Sequence, residues 1–432
     1  MKSEDSIPLG HERAYTTAAG APVYLSPNPA LHSFCLSLYV RGGSMQEPKA
    51  SLGITHFLEH LLFRHLDNLH GGTLSRELDS LGLSFEAVTY REFLWVSLCG
   101  APRHLPRAIE IFSRLLAPLS VTKKDVDTER ARIKAEIREE GEKGSLEYFS
   151  DGILFRGTPL VESILGTAGT LNTLTAPRLA AYKSAFFTKE NLFFVLTGKA
   201  DESAISLLSD ATAPYPLPSG APRANLAPRA EGVFARNALV AVQNSRKTAV
   251  RLTVDVDPTQ CSDAALTLLY DILFGDGEEC RLYRALSERT GYIYSFSASL
   301  EQYSNLAFIH ILYEIPKNKL EESLGLLISV LREAKHMTGD ALPGARAPYT
   351  ENAAFILDGA KELNWSLAYE RHILSLPYAS PEARSDAFRA VTPEDLSALA
   401  EALFRPDCLS LCLKADKRTV DTARLREILL SV

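Results

Sequence analysis

Hydrophobic positions change period several times along the chain, and the changes mark out its elements. Ser33 to Val40 is an apolar run of strand length, Leu52 to Leu66 repeats apolar residues at helical spacing, and Leu74 to Leu81 predicts a second, shorter helix. Two strand-like runs follow, Leu83 to Thr89 and Phe93 to Cys99, and then long helical stretches from Arg103 to Gly144. The second half predicts the same order: a strand at Thr248 to Val256, helices at Cys261 to Phe274 and Arg281 to Arg289, a strand pair at Ile293 to Leu300 and Leu306 to Tyr313, and a helix from Leu320 to His336. Between the halves, Ala211 to Arg229 accumulates Pro and Ala and loses its periodicity, so it reads as a linker. The expected architecture is an α+β unit present twice: residues 1–210, a linker over 211–232, and residues 233–432. Segment order carries this duplication, because residue identity between the halves is weak.

Composition narrows the class. The 432 residues exceed what one hydrophobic core usually serves, and 46% hydrophobic with 23% charged residues reads as a globular chain. The longest apolar runs, such as Ala238 to Val242 and Leu324 to Leu331, fall well short of the ~20 residues that cross a bilayer, so no membrane span is expected. A net charge of -7 without a basic block argues against nucleic acid as a partner. The polar, acidic stretch Met1 to Ser6 offers no apolar segment for export, which makes a cytoplasmic location the expectation. The cysteines at 35, 99, 261, 280, 408 and 412 form no Cys-x-x-Cys pair and read as buried free thiols.

Candidate chemistry enters at His56-Phe57-Leu58-Glu59-His60. Four residues apart on a helix, the two imidazoles project from one face about one turn apart, a placement zinc accepts. Glu59 occupies an adjacent part of that face, where its carboxylate can take a proton from a metal-activated water without being a ligand. A catalytic zinc needs a third protein ligand. The helical segment Val126 to Glu140 offers glutamates at 129, 136, 139 and 140; Glu129 and Glu136 lie two turns apart on one face, so either can meet the metal while the other supports it. His65 and His70 are expected at the surface, and Glu139 and Glu140 on a solvated helix face.

In order, these residues resemble the pitrilysin-like peptidases, zinc enzymes with an inverted H-x-x-E-H motif. Gly43-Ser44-x-x-Glu47 is similar to the family's strand end before the motif, Gly53 to Phe63 to its zinc helix, and Glu129-Arg130 through Glu136 to its E-R-x-x-x-x-x-E pattern. In the second half, Phe274 to Tyr283 and then Gly291-Tyr292-Ile293-Tyr294-Ser295 are similar to a glycine-rich stretch followed by Gly-Leu-x-Tyr. The resemblance runs from about residue 12 to the end and is of the short bacterial two-domain type, related to the mitochondrial processing peptidase beta subunit. It implies one zinc ion per chain on His56, His60 and Glu136, with Glu59 as general base and Glu129 as supporting acid. It also implies a duplicated fold of the LuxS/metallohydrolase type and a dimer that closes like a clamshell around a chamber. The implied reaction is hydrolysis of peptides, or of precursor or leader peptides. The rival reading is a catalytically weak or inactive member acting as scaffold or peptide-binding subunit, although such members typically lose motif residues that are all present here.

Two positions depart from the family pattern. Where the family commonly has Asn-Ala and then Thr, this chain reads Phe85-Glu86-Ala87-Val88-Thr89. Glu86, Ala87 and Thr89 are expected along a substrate held as an added strand, and an ionised Glu86 accepts hydrogen bonds without donating any, which would favour basic residues near the cut. The family's Arg and Tyr, seven apart, reach a facing active site; Tyr294 fits the Tyr, but Ser287 stands where Arg is expected. Serine cannot supply a cation for a developing oxyanion. The resemblance therefore implies a heterodimer with a homologous subunit that brings the Arg/Tyr pair, or else a homodimer in which Arg284 or Arg289 takes over.

Overall fold

The computed structural model describes residues 8–139, 144–221 and 232–432. The first half contributes β1 (Arg13–Thr16), β2 (Pro22–Pro27), β3 (Phe34–Arg41), α1 (Ile54–Leu69), α2 (Leu74–Leu81), β4 (Ser84–Thr89), β5 (Phe93–Gly100), α3 (Leu105–Ser113), α4 (Lys123–Glu139), α5 (Leu146–Leu154), α6 (Ala168–Asn172), α7 (Ala176–Phe186), β6 (Leu192–Gly198) and α8 (Glu202–Thr212). The second half contributes β7 (Leu239–Asn244), β8 (Ala249–Val256), α9 (Asp263–Phe274), α10 (Arg281–Tyr283), β9 (Ser297–Gln302), β10 (Ala307–Glu314), α11 (Leu320–Glu333), α12 (Leu342–Thr350), α13 (Ala360–Trp365), α14 (Pro381–Ala390), α15 (Pro393–Leu403), β11 (Leu409–Ala415) and α16 (Thr422–Leu430).

These elements form two compact units, and each unit borrows a segment from the other half of the sequence. Among the described residues the first unit takes 8–139, 162–221 and 354–381, and the second takes 144–161, 232–353 and 382–432. A division at the linker does not anticipate this exchange. Its cause lies in the sheets: the local helices cover one face of each, and the borrowed segment covers the other.

The first unit has a six-stranded mixed sheet in the order β1-β2-β6-β3-β5-β4, parallel between β2 and β6 and antiparallel elsewhere. Its central strand β3 is buried along both faces and so reads as a continuous apolar run instead of an alternating one. Leu36, Leu38 and Val40 share a core with Leu58 and Leu62 of α1 and with Phe112 of α3. On the opposite face Tyr39, Phe93, Trp95 and Phe193 pack with Ala368 and Ile373 of the borrowed segment. Asn364 fastens that segment: its Nδ2 donates to the carbonyls of Cys35 and Val195, each at 3.1 Å, and its Oδ1 accepts from Ser37 Oγ.

The second unit's sheet, β7-β11-β8-β10-β9, repeats the order and the strand directions of the first once β1 is left aside. The expected duplication of an α+β plan is thus visible in the topology. Here α5 is the borrowed element. Arg251 donates to Asp151 Oδ1 at 2.6 Å and to the Glu147 carbonyl at 3.1 Å, while Arg236, paired with Asp255 at 2.8 Å, donates to the Leu154 carbonyl at 3.1 Å.

Several expectations need correction. The helix expected over Arg281 to Arg289 is one α turn followed by a π turn at Arg284–Glu288. The strand expected from Ile293 starts at Ser297, because Tyr292 to Ser295 form a loop whose apolar Ile293 is buried without pairing in the sheet. His65 is fully buried: Nε2 meets the Arg114 carbonyl at 2.9 Å and Nδ1 accepts from the Ser120 amide at 2.9 Å. His70 is half-buried, with Nδ1 2.7 Å from the Leu66 carbonyl. Glu139 is exposed as expected, and Glu140 lies outside the described residues.

Candidate metal and catalytic centre

The start of α1 is built by residues upstream of the histidines. Glu47 accepts from the amides of Gly53 at 2.6 Å and Thr55 at 2.8 Å, satisfying two of the donors that a helix N-terminus leaves open. Burial nevertheless pushes the Glu47 carboxyl up to about 7. Gly53 has φ +86°, and a Cβ there would lie 2.5 Å from the Leu165 carbonyl oxygen; a Cβ on Gly166 would lie 2.2 Å from the Leu52 oxygen. The two glycines let a loop cross directly against the helix start.

With that start fixed, His56 and His60 lie one turn apart on one face of α1 and meet edge to face, their ring centroids 4.7 Å apart. Helix α4 brings Glu136 opposite: its Oε2 lies 3.9 Å from His56 Nε2 and 3.7 Å from His60 Nε2. These separations are too long for hydrogen bonds. Three donor atoms that converge without bonding one another form a set a metal ion could bridge. The set suits zinc, since a tetrahedral site with ligands at ~2.0–2.2 Å spaces its donor atoms by a little over 3 Å. Burial, helped by His60, pushes the His56 imidazole down to about 3 and keeps its nitrogens neutral for ligation.

Glu59 is a second carboxylate near the same point, with Oε2 3.9 Å from His56 Nε2, so His56, Glu59 and His60 by themselves also make a compact donor group. Glu59 differs from Glu136 in being tethered, because Thr89 Oγ1 on β4 donates to its Oε2 at 2.9 Å. Burial raises the Glu59 carboxyl against that hydrogen bond, which suits a group that gains and loses a proton. Behind His60, Glu129 is 2% exposed and places Oε2 3.3 Å from His60 Nδ1, while its Oε1 accepts from Arg64 Nε and Arg132 Nη1, each at 2.9 Å. Burial works against the charge on Glu129, but Arg64, His60 and Arg132 outweigh it and hold the carboxyl below its usual range.

The structure therefore brings His56, Glu59, His60, Glu129 and Glu136 together and adds Thr89 as a direct partner of Glu59. Among the described residues β4 pairs with β5 alone, so its outer edge is free to accept a strand. Ala87 packs toward the α1 side. Glu86 points to the other face, where both oxygens meet Lys361 Nζ at 2.6 and 2.7 Å, and Lys361 lies 5.5 Å from the centre of the Trp95 ring. Tyr294, in the second unit, is 95% exposed and lines an open cavity of about 610 Å³. Ser287 sits on the π turn, Arg284 pairs with Glu279, and Arg289 is exposed. Sequence reasoning missed the roles of Glu47, Arg64, Arg132 and Lys361. A signal existed for Arg132, spaced i+3 from Glu129 on one helix, but none for Lys361.

Comparison with known proteins identifies the family and the fold. Residues 23–168 match the family model described as insulinase (peptidase family M16), and residues 173–346 match the one described as the peptidase M16 inactive domain. An "uncharacterized zinc protease" of Streptomyces coelicolor is 28% identical over 207 residues, 48% of this chain and 45% of that protein. The beta subunit of the mitochondrial-processing peptidase of Lentinula edodes is 25% identical over 198 residues, 45% of this chain and 42% of that one. Each alignment thus spans less than half of the relative's length. A crystal structure from Pseudomonas fluorescens, described as a peptidase M16 inactive domain, superposes with a TM-score of 0.80 at 18% identity, covering 94% of this chain and 98% of that one, which establishes the shared fold.

Proposed function

The chain belongs to the insulinase (M16) peptidase family, and from that premise we propose that it is a zinc-dependent endopeptidase that hydrolyses peptides or precursor peptides. The observation that carries this reading is the convergence of His56 Nε2, His60 Nε2 and Glu136 Oε2, with the Thr89-tethered Glu59 alongside. His56, His60 and Glu136 would hold one zinc ion. When bound, zinc supplies Lewis-acid polarisation of the scissile carbonyl and a lower pKa for the attacking water.

The chain's own residues do the rest. Glu59 takes a proton from the water and returns it to the leaving amine, and its burial brings its affinity for protons closer to that task. Thr89 aims the Glu59 carboxylate, and Glu129, by accepting the His60 Nδ1 proton, leaves the Nε2 lone pair available for a metal that the site would hold. A peptide adds as a strand to the free edge of β4, gaining affinity from main-chain hydrogen bonds. Because Lys361 neutralises Glu86, basic side chains gain less from Glu86 than its charge alone would give.

The partner in this reading is a homologous subunit that supplies the cation missing at Ser287, and the two chains enclose a chamber. A relative named as the beta subunit of a processing peptidase supports such pairing. A second reading, a scaffold or peptide-binding subunit of low activity, is favoured by Ser287 alone.

Metal analysis and peptide turnover of two variants test the assignment. Glu59→Gln should keep about one zinc per chain while turnover falls by ~10²–10⁴, the usual contribution of a general base; His60→Ala should lose the metal. If Glu59→Gln sheds zinc as readily as His60→Ala, or keeps wild-type turnover, the roles are wrong.

A further inference from the structure

Of the six cysteines, two face each other. In the antiparallel β3–β5 ladder Cys35 lies directly opposite Cys99, so both side chains stand on the same face of the sheet. Opposed residues of an antiparallel pair have Cα atoms ~4.5–5.5 Å apart, inside the ~4.4–6.8 Å range that disulfides span. The Cα spacing therefore allows a disulfide, provided that the two Cβ atoms draw slightly closer than an undistorted ladder holds them. None of the other four cysteines is opposite another in either sheet: Cys412 on β11 faces Ala241 and Arg251.

The two thiols are unequal. Cys35 is fully buried in the middle of the sheet, whereas Cys99 is partly exposed and pairs on its other side with Ser84, the first residue of the edge strand β4. The Cys35 thiol opposite and the nearby Lys361 ammonium pull the Cys99 thiol down against its burial, while Cys35 is pushed well above the usual thiol range. Reactivity follows the thiolate and its access to solvent, so Cys99 is the attacking group and Cys35 the resolving one.

We propose that Cys35 and Cys99 form a reversible disulfide site for low-molecular-weight disulfides such as oxidised glutathione. The Cys99 thiolate attacks one glutathione sulfur, the S–S bond of the reagent breaks, and the departing glutathione thiolate takes up the proton that Cys99 had released. Cys35 then gives up its proton and attacks Cys99 Sγ, expelling the second glutathione thiolate, which takes that proton. Two protein thiols are oxidised by two electrons, and one glutathione disulfide becomes two molecules of glutathione. Reversibility follows from the sheet. Opposed Cβ atoms in a ladder stand ~4.5–5.5 Å apart, wider than the ~3.5–4.5 Å of a relaxed disulfide, and a strained bond is more easily reduced.

The test is intact-mass analysis and peptide mapping of the full chain after incubation in oxidised and reduced glutathione at graded ratios. The wild type should lose two hydrogens and yield a Cys35–Cys99 cross-linked peptide that dithiothreitol removes. Cys35→Ser should stall as a single glutathione adduct on Cys99, and Cys99→Ser should leave Cys35 unmodified. Absence of the cross-link in wild type overturns the proposal, and so does a Cys99 adduct that accumulates as fully in wild type as in Cys35→Ser. The wild-type map decides the matter even if a variant folds poorly.

Discussion

Replacing Glu129 by Gln removes a charge behind the proposed ligand His60 while nearly conserving shape. The carboxylate accepts the Nδ1 proton of His60 at 3.3 Å, which fixes the tautomer with a free lone pair on Nε2 and makes that nitrogen a better donor. A Gln oxygen can still accept the proton but no longer offsets charge that the ring gains on ligation. Loss of such a partner typically weakens metal binding ~10–100-fold, equivalent to ~1.4–2.7 kcal/mol at ~1.4 kcal/mol per tenfold. The folding cost should be smaller than the ~3–5 kcal/mol of breaking a fully buried ion pair, because Arg64 and Arg132 are 30% and 58% exposed and can turn to water. Competition against a chromophoric zinc chelator gives Kd, and thermal unfolding of the metal-free protein gives the folding term separately. The expected result is a Kd raised 10–100-fold with a modest fall in Tm. A Kd within about twofold of wild type would refute a positioning role for Glu129, since the stated coupling is at least about tenfold.

Two further outcomes are expected. Lys183 is 4% exposed, donates to the Ala117 carbonyl at 2.6 Å, and is pushed by burial down to about 7; its unfolded value is ~10.4, so the unfolded chain holds the extra proton between these limits and stability rises with pH from about 7 toward about 10. Lys183→Met should raise the Tm of the metal-free protein below about pH 7 and flatten that rise, and a shift of equal size at every pH would contradict the reasoning. Ser287→Arg should raise the peptide turnover of the chain assayed alone, by up to the ~10²–10³ that one electrostatic donor is worth. Full activity of the wild-type chain alone, abolished by Arg284→Ala or Arg289→Ala, would remove the case for a partner that supplies the cation.

Helix α1 and its companion α4 were legible because their signals are local. His56 and His60 are one turn apart, Glu129 and Glu136 two turns apart, and the apolar spacing around them sets which face turns inward. Strand runs such as β3 and β5 announced themselves by apolar length. What stayed hidden depends on contacts across hundreds of positions: nothing near Glu86 announces Lys361, 275 residues away, and nothing near α13 says that it belongs to the first unit. His65 misled for a different reason. A histidine in an amphipathic helix is usually solvated, but here two backbone groups satisfy both ring nitrogens, which removes the penalty for burying it. The π turn at Arg284–Glu288 escaped because helical periodicity does not distinguish one inserted residue from a regular turn.

The loan of residues 354–381 to the first unit also sets an order of events during synthesis. On the sheet face that this segment covers, Phe193 is the last large side chain to be made and precedes Asn364 by 364 − 193 = 171 positions, which at the usual ~5–20 residues per second means a delay of roughly 9–34 s on the ribosome. Throughout that time the sheet face bearing Tyr39, Phe93, Trp95 and Phe193 has no cover from its own half of the chain. Such a face is a target for holding chaperones and a route to wrong pairing between nascent chains. Release of the first half by itself, through premature termination or proteolysis near the linker, would leave a fragment with an exposed aromatic surface and a strong tendency to aggregate.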